Sequence, residues 1–302
     1  MDIKEEINQL KKEKDAVILA HYYVRPEVQE IADYTGDSFY LSRTAEKLTC
    51  RVIVFAGVFF MGESAKILNP EKVVLMPEVS ADCAMAHMAD PETIQKMRDT
   101  YEDLAVVCYI NSTAELKRHS DVCVTSANAV QIVRELPNRH IFFIPDRNLA
   151  RFVARQVPEK HFVFNDGFCP VHESMKVREI ERARRQHPEA LTLVHPECPA
   201  AICDMADYVG STSGIIRYAQ DSPSREFIVC TESGVRWELE RKNPGKTFYF
   251  PDTEPVCEDM KTITLEKIRD VLRTGNNEIH VEESSASQAA KPLERMMDLA
   301  AK

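Results

Sequence analysis

Three cysteines stand far apart in the chain, and their spacing is the first sign of chemistry. From Cys83 to Cys169 is a step of 86 residues, and from Cys169 to Cys257 a step of 88. Structural zinc sites usually take their cysteines in close pairs such as C-x-x-C, so this spacing predicts ligands from separate parts of the fold. Three thiolates at one point favour a 4Fe-4S cluster with one open iron, which can act as a Lewis acid on a substrate oxygen.

Other interpretations of the cysteines stay open. Cys169 and His172 form a C-x-x-H pair, which allows a zinc site of three cysteines and one histidine. The remaining cysteines share no regular spacing, and we interpret them as ordinary buried thiols. They are Cys50, Cys108, Cys123, Cys198, Cys203 and Cys230.

The three cysteines belong to a wider repeat of polar residues that follow apolar runs. Each repeat starts at the end of a β-branched run, at His21, Tyr109 and His195. An aspartate follows twelve residues later and a hydroxyl residue seventeen residues later: Asp33, Asp121 and Asp207, then Ser38, Ser126 and Thr212. So many matched positions in three copies indicate a tandem triplication.

The repeats alternate short strands with helical segments, a pattern typical of βαβ units on a small parallel sheet. We therefore predict an α/β fold of three pseudo-symmetric repeats, with boundaries at 1–86, 87–172 and 173–258. The tail, 259–302, is expected to pack back on the first repeat. Ligands in open α/β sheets bind beyond the carboxyl ends of the strands, so the repeats would turn their polar edges towards one central cavity.

The polar residues at these strand ends predict acid–base groups. They form three pairs: His21 with Tyr23, Tyr109 with Asn111, and His195 with Glu197. Each residue alone is most often structural, but the matched register favours a shared site. Glu197 stands between two prolines that stiffen its loop, and we predict that it is a general base. The tyrosines and histidines would donate protons or orient a carbonyl group.

The hydroxyl residues Ser38, Ser126 and Thr212 stand where helices are expected to start. A serine or threonine there is typical of a helix N-cap, and plain capping explains any one of them. Three helix N-termini that point into one cavity would instead bind several carboxylate or phosphate groups.

The composition narrows the class of protein. At 302 residues with 44% hydrophobic and 28% charged residues, the chain is typical of globular proteins, and its net charge of −10 argues against nucleic acid or an anionic membrane as the main partner. The N-terminus has no signal-peptide pattern, and the longest apolar run, Val52 to Met61, is too short to cross a bilayer. Nine cysteines, an odd number, suggest reduced thiols and a cytoplasmic location.

From about Val17 to Leu299 the chain resembles the quinolinate synthase family, the iron–sulfur enzymes of de novo NAD biosynthesis. The segments that carry the resemblance include "ILAHYY", "ADYTGDS", "TSANAV", "CPVHE", "VHPECP" and "CEDMKTITLEK". It implies three three-layer α/β/α domains around a central cavity, and a 4Fe-4S cluster on Cys83, Cys169 and Cys257 whose open iron faces the substrate. It also implies condensation of iminoaspartate with dihydroxyacetone phosphate to give quinolinate, phosphate and two waters.

The resemblance also implies roles for individual residues. Tyr23 and Glu197 would transfer protons, with His21, Tyr109 and His195 beside them, and His172 would lie near the triose-derived part of the substrate. The substrate-binding set is His21, Ser38, Tyr109, Ile110, Asn111, Ser126, His172, His195, Pro196, Glu197, Ser211 and Thr212. Because the family's first substrate is made by a separate aspartate-oxidising enzyme, that enzyme is an expected partner.

Two rival functions remain at this point. Radical S-adenosylmethionine enzymes of the diphthamide type also use three domains with one cluster cysteine each, but their protein substrate requires a broad open face. An electron-transfer or iron-sensing protein would need a fully ligated cluster, with His172 as a candidate fourth ligand, and no polar rows.

Overall fold

The computed structural model describes residues 2–301. Its strands form three separate four-stranded sheets, and every strand pair in them is parallel. The strands are β1 Ala16–His21, β2 Tyr34–Gly36, β3 Val52–Ala56, β4 Val73–Leu75, β5 Leu104–Tyr109, β6 Val122–Val124, β7 His140–Ile144, β8 His161–Phe164, β9 Leu191–Val194, β10 Tyr208–Val209, β11 Glu226–Cys230 and β12 Thr247–Tyr249.

The three sheets have the same topology. Their strand orders are β2-β1-β3-β4, β6-β5-β7-β8 and β10-β9-β11-β12, so each repeat places its first strand second and its third strand next to it. Helices flank these sheets, and the strands read as apolar runs because both faces are covered; every residue of β5, for example, is buried. The predicted α/β fold of three pseudo-repeated units is confirmed.

The helices occupy matching places in the repeats, and two short 3-10 helices lie at Ala84–His87 and Ser233–Val235. The α-helices are α1 Ile3–Lys14, α2 Pro26–Ile31, α3 Ser38–Lys47, α4 Phe59–Leu68, α5 Pro91–Thr100, α6 Ala114–Arg118, α7 Ala129–Glu135, α8 Arg147–Gln156, α9 Pro170–Glu173, α10 Val177–Gln186, α11 Ala200–Cys203, α12 Thr212–Asp221, α13 Arg236–Lys242, α14 Glu258–Lys261, α15 Leu265–Thr274 and α16 Glu283–Ala300.

The repeated aspartates have one structural task in all three repeats. A carboxylate oxygen of each accepts the backbone N–H of a residue in the first strand of its own repeat, at 2.7–2.8 Å. The donors and acceptors are Ile18 and Asp33, Val106 and Asp121, and Thr192 and Asp207. The aspartate row therefore pins each second strand to the first and belongs to the fold.

The C-terminal tail packs on two repeats, whereas the sequence suggested only the first. Helix α15 lies against α1 of the first repeat, and α16 lies along α6 and β6 of the second repeat and against α4 of the first. The reason is the apolar face of α16, which buries Leu293 and Met296 in this groove. Between residues 2 and 301, no helix is both long and apolar enough to span a membrane.

The hydrophobic core is divided unequally. One continuous cluster of buried side chains runs through the first two repeats and the tail. The third repeat has two smaller clusters, one of which also includes Tyr22 of the first repeat. Among residues 2–301, no buried member of the larger cluster lies in the third repeat.

Candidate active site

A cavity of about 250 Å³ lies among the three repeats, at the carboxyl ends of their strands. This is the edge at which open α/β sheets bind ligands. Most of the predicted residues line it: His21, Tyr23, Ser38, Cys83, Tyr109, Asn111, Ser126, Cys169, His172, His195, Glu197, Thr212 and Cys257. Three repeats thus contribute to one site.

Cys83, Cys169 and Cys257 occupy equivalent positions in the cavity wall. Each is the N-cap residue of a short helical turn that follows the fourth strand of its repeat. All three are free thiols. Burial raises the pKa of each, that of Cys257 to about 11, so a bound cation is needed to hold them as thiolates at neutral pH.

His21 and His195 are fixed by the same local contact. The backbone N–H two residues further on, of Tyr23 and of Glu197, donates to the Nδ1 atom at 3.2 and 3.3 Å. Burial lowers the pKa of each histidine to about 3, so both rings are neutral and carry their proton on Nε2. In His195 this Nε2 lies 3.2 Å from the Ser126 hydroxyl. The site therefore has two uncharged N–H donors.

Glu197 is a buried carboxylate with strong hydrogen-bond partners. Its Oε1 accepts from the Tyr109 hydroxyl at 2.5 Å, and its Oε2 lies 2.8 Å from Nδ1 of His172. Burial alone would raise the pKa of Glu197, but His172 and the Tyr109 hydrogen bond outweigh burial and hold it below its ordinary value. Burial and the negative Glu197 raise the pKa of Tyr109, so the phenol keeps its proton.

A chain of hydrogen bonds leads from Glu197 through His172 to Tyr23. The Nε2 atom of His172 lies 2.9 Å from the Thr231 hydroxyl, which in turn lies 2.9 Å from the Tyr23 hydroxyl. The Tyr23 hydroxyl also lies 2.8 Å from the Thr212 hydroxyl. These contacts join the Glu197 carboxylate to the Tyr23 phenol in one continuous hydrogen-bonded path.

Sequence reasoning missed Thr231, which is fully buried behind the cavity wall. The signal was present, because Thr231 ends the second apolar run of the third repeat, where Gly57 and Pro145 stand in the other two. Nothing in that register distinguishes a threonine that links two site residues from one that packs.

The three predicted hydroxyl residues lie one or two residues away from the helix caps. Ser38 and Thr212 are the first residues of α3 and α12, and the caps are the preceding Asp37 and Ser211, whose side chains accept N–H groups of the first helical turn. Ser126 lies two residues before the α7 cap. The Ser38, Ser126 and Thr212 hydroxyls are left in the cavity wall.

Asn111 provides an unused hydrogen-bond acceptor in the cavity wall. Its side-chain Oδ1 is buried and has no hydrogen-bond partner among residues 2–301. An unpartnered buried amide costs stability unless a ligand satisfies it, so this atom indicates a place for a polar substrate group.

A family model described as quinolinate synthetase A protein matches residues 5–298. The chain belongs to this family. Among its curated relatives, the quinolinate synthase of Fusobacterium nucleatum is 51% identical over 99% of both chains. That of Clostridioides difficile is 49% identical over 99% of this chain and 98% of its own, and that of Thermodesulfovibrio yellowstonii 48% identical over 98% and 97%.

Three residues expected from the quinolinate synthetase A resemblance do not line the central cavity. The backbone N–H of Ile110 donates to Val124 O at 2.8 Å and extends the sheet. Pro196 belongs to the loop that carries Glu197, and Ser211 caps α12 from the wall of a neighbouring cavity.

Proposed function

We propose that this chain catalyses the condensation of iminoaspartate with dihydroxyacetone phosphate to quinolinate, phosphate and two waters, in NAD biosynthesis. The observation that carries the proposal is the single cavity that combines three free thiols, one per repeat, with the Glu197 network. We also propose that the chain works in the cytoplasm and receives its unstable first substrate from an aspartate-oxidising enzyme.

Cys83, Cys169 and Cys257 would hold a 4Fe-4S cluster with one open iron. Their fit rests on the donor set: three thiols at equivalent helix starts of three repeats, facing one cavity. Three sulfur ligands are what such a cluster needs when one iron stays open. When bound, the cluster supplies a Lewis acid that polarises a substrate oxygen.

The chain's own residues would bind the carboxylates of iminoaspartate and move protons. The neutral Nε2–H groups of His21 and His195 and the hydroxyls of Ser38, Ser126 and Thr212 are donors for carboxylate oxygens. Such donors hold an anionic substrate without adding a buried charge.

Glu197, ionised and at the end of the hydrogen-bond chain, would accept the proton that the substrate carbon releases as the new bond forms. Loss of two waters requires protons to be delivered to two leaving oxygens. The phenols of Tyr23 and Tyr109 hold the protons for that delivery, and His172 and Thr231 link Tyr23 to Glu197 so that the groups can be reset.

The rival functions receive less support. The polar side chains that line the cavity disfavour a sensor, which needs no such residues. His172 alone does not separate the cases, because its Nδ1 atom lies 3.2 Å from Sγ of Cys169 and 2.8 Å from Oε2 of Glu197. The group of Cys169, His172 and Glu197, whose donor atoms lie within 4.8 Å of one another, can hold a zinc ion instead. Iron and zinc analysis of the purified protein distinguishes these cases.

The deciding experiment is anaerobic incubation of the reconstituted protein with freshly generated iminoaspartate and dihydroxyacetone phosphate, with Cys83→Ala as the control. Quinolinate from the unmodified chain alone supports the reaction and its dependence on the cluster. A protein that carries four irons and four sulfides yet makes no quinolinate contradicts the proposal, and cleavage of S-adenosylmethionine is then the next assay.

A further inference from the structure

A second cavity, of about 710 Å³, opens beside the central one. The two share Asp37 and Ser126 in their walls, so they adjoin where the hydroxyl residues lie. The wall of the second cavity also carries Arg43 and Lys47 from α3 and Arg217 from α12. We call this cavity, defined by these five residues, the cationic vestibule.

The charge of the vestibule is opposite to that of the chain. Arg43, Lys47 and Arg217 are exposed, and none of them has a carboxylate oxygen within 4.0 Å among residues 2–301. Asp37 is the one acid in the described wall, and its carboxylate is occupied as the cap of α3. On a chain of net charge −10 this is a local positive field next to the proposed active site.

We propose that the cationic vestibule binds the phosphate monoester of the triose substrate before it enters the central cavity. The inference rests on the proposed function, because that function requires a phosphate-bearing substrate. A dianion is attracted by three cations without opposing carboxylates, and the field acts over about 8–10 Å at ordinary ionic strength. The vestibule would then raise the rate of capture and leave the chemical step unchanged.

The test removes the three cations together in Arg43→Gln/Lys47→Gln/Arg217→Gln. A matched control removes two arginines and one lysine that are equally exposed but line neither cavity, in Lys176→Gln/Arg178→Gln/Arg185→Gln. We expect kcat/KM for dihydroxyacetone phosphate to fall at least about tenfold in the first variant, with little change in kcat and a weaker salt dependence. Equal behaviour of the two variants overturns the proposal.

A second measurement separates this inference from the proposed function. Inorganic phosphate is titrated against both variants and the unmodified holoenzyme by phosphorus NMR, which needs no turnover. Weaker phosphate binding in the vestibule variant alone supports the site even if no quinolinate is formed. Phosphate binding that is equal in all three proteins counts against the site even if the unmodified enzyme is active.

A different observation concerns the cysteines. The backbone N–H of each donates to a carboxylate, at 2.7–3.2 Å. The pairs are Cys83 with Asp82, Cys169 with Asp146, and Cys257 with Glu232. Asp146 and Glu232 are almost completely buried.

The contact recurs although its sequence position does not. Asp146 and Glu232 stand in the same register, one residue after the second apolar run of their repeats. The first repeat has Val58 there, and Asp82 makes the contact from beside its cysteine. The same contact is thus made from two different sequence positions, which suggests that a carboxylate at each cysteine N–H has a function.

Iron–sulfur potentials depend on net charge and on hydrogen bonds to the sulfurs. An N–H group that donates to a side-chain carboxyl oxygen is withdrawn from the sulfurs. Added charge is not the cause at Glu232, because Nζ of Lys261 lies 2.7 Å from its Oε1 atom. We infer that Asp82, Asp146 and Glu232 are positioning residues that also keep the reduction potential of the cluster low. The cluster would then stay oxidised and serve as a Lewis acid.

The test is Asp146→Ala in the reconstituted holoenzyme, with Asp82→Ala as a second variant, because alanine removes the acceptor of the cysteine N–H whereas an amide would keep it. Asp207→Ala is the matched control, because Asp207 also accepts a backbone N–H, that of Thr192, but lies outside the cavity wall. We expect the cluster midpoint potential, followed by EPR during a redox titration, to shift upward in Asp146→Ala and Asp82→Ala and not in the control. Unchanged potentials at full iron content overturn the inference, whereas failure of the unmodified chain to assemble a cluster counts against the proposed function.

Discussion

Replacing Thr231 by valine removes one hydroxyl and keeps the shape of the side chain. That hydroxyl lies 2.9 Å from His172 Nε2 and 2.9 Å from the Tyr23 hydroxyl, and it is the link between them. In the variant Tyr23 keeps Thr212, at 2.8 Å, but His172 Nε2 loses its partner. One unsatisfied buried polar atom costs about 1–3 kcal/mol of stability.

The catalytic effect follows from the broken hydrogen-bond chain. Positioned proton transfer contributes about 10²- to 10⁴-fold to rate, and we expect Thr231→Val to lose the lower end, about 100-fold in kcat. This corresponds to about 2.7 kcal/mol, since each tenfold change is about 1.36 kcal/mol. KM should change little, because Thr231 does not line the cavity. The assay is quinolinate formation at saturating substrates and over a range of pH.

The chain offers a close control for this substitution. Thr192 is also a fully buried threonine of the third repeat, and its hydroxyl has no partner among residues 2–301. Thr192→Val makes the same chemical change without touching the site, and Thr231→Ser restores a hydroxyl. If kcat of Thr231→Val stays within about twofold of that of Thr192→Val, the relay is refuted.

Three other expectations test separate parts of the structure. Burial lowers the pKa of His195 to about 3, so the unfolded chain binds more protons than the folded chain between about pH 3 and 6.5. The free energy of unfolding therefore falls as the pH drops through that range. Urea unfolding at several pH values should show a shallower fall in His195→Asn. Cys257→Ser should lose iron on reconstitution while Cys108→Ser keeps it, and equal iron contents would contradict the ligand assignment. Asp207→Ala leaves the Thr192 N–H without its acceptor and should lower the free energy of unfolding by about 1–3 kcal/mol in urea titrations; no loss would show that the pin is dispensable.

Much of the fold could be predicted because the same pattern of residues recurs three times along the chain. The positions of His21, Tyr109 and His195 placed the strand ends, and the later cysteines placed the final turn of each repeat. The polar residues at those strand ends could then be assigned to one cavity without knowing a single distance. Register carries such information because equivalent positions of a repeat meet around its pseudo-symmetry axis.

The remaining features depend on contacts between repeats, which no single copy records. Thr231 matters because Tyr23 of the first repeat and His172 of the second both reach it. The tail helix α16 packs on the second repeat as well as the first, because the groove between α4 and α6 exists only in the folded protein. A local difference is that α3 and α12 are capped one residue earlier than predicted, because the side chains of Asp37 and Ser211 accept the N–H groups of the first helical turn.

The unequal division of the hydrophobic core bears on the order of substrate entry and proton transfer. The first two repeats and the tail share one core, while the third repeat, which carries Glu197 and Thr231, is built on two smaller clusters that take only Tyr22 from the first repeat. Tyr109 and Tyr23 belong to the first two repeats, so the hydrogen bonds that would carry protons are also among those that join the third repeat to the rest of the protein. If the third repeat swings away to admit a substrate, the proton path is cut, and it is restored only when the site has shut around its contents. The open state would therefore lack the proton path, and the chemical steps would take place only in the closed state.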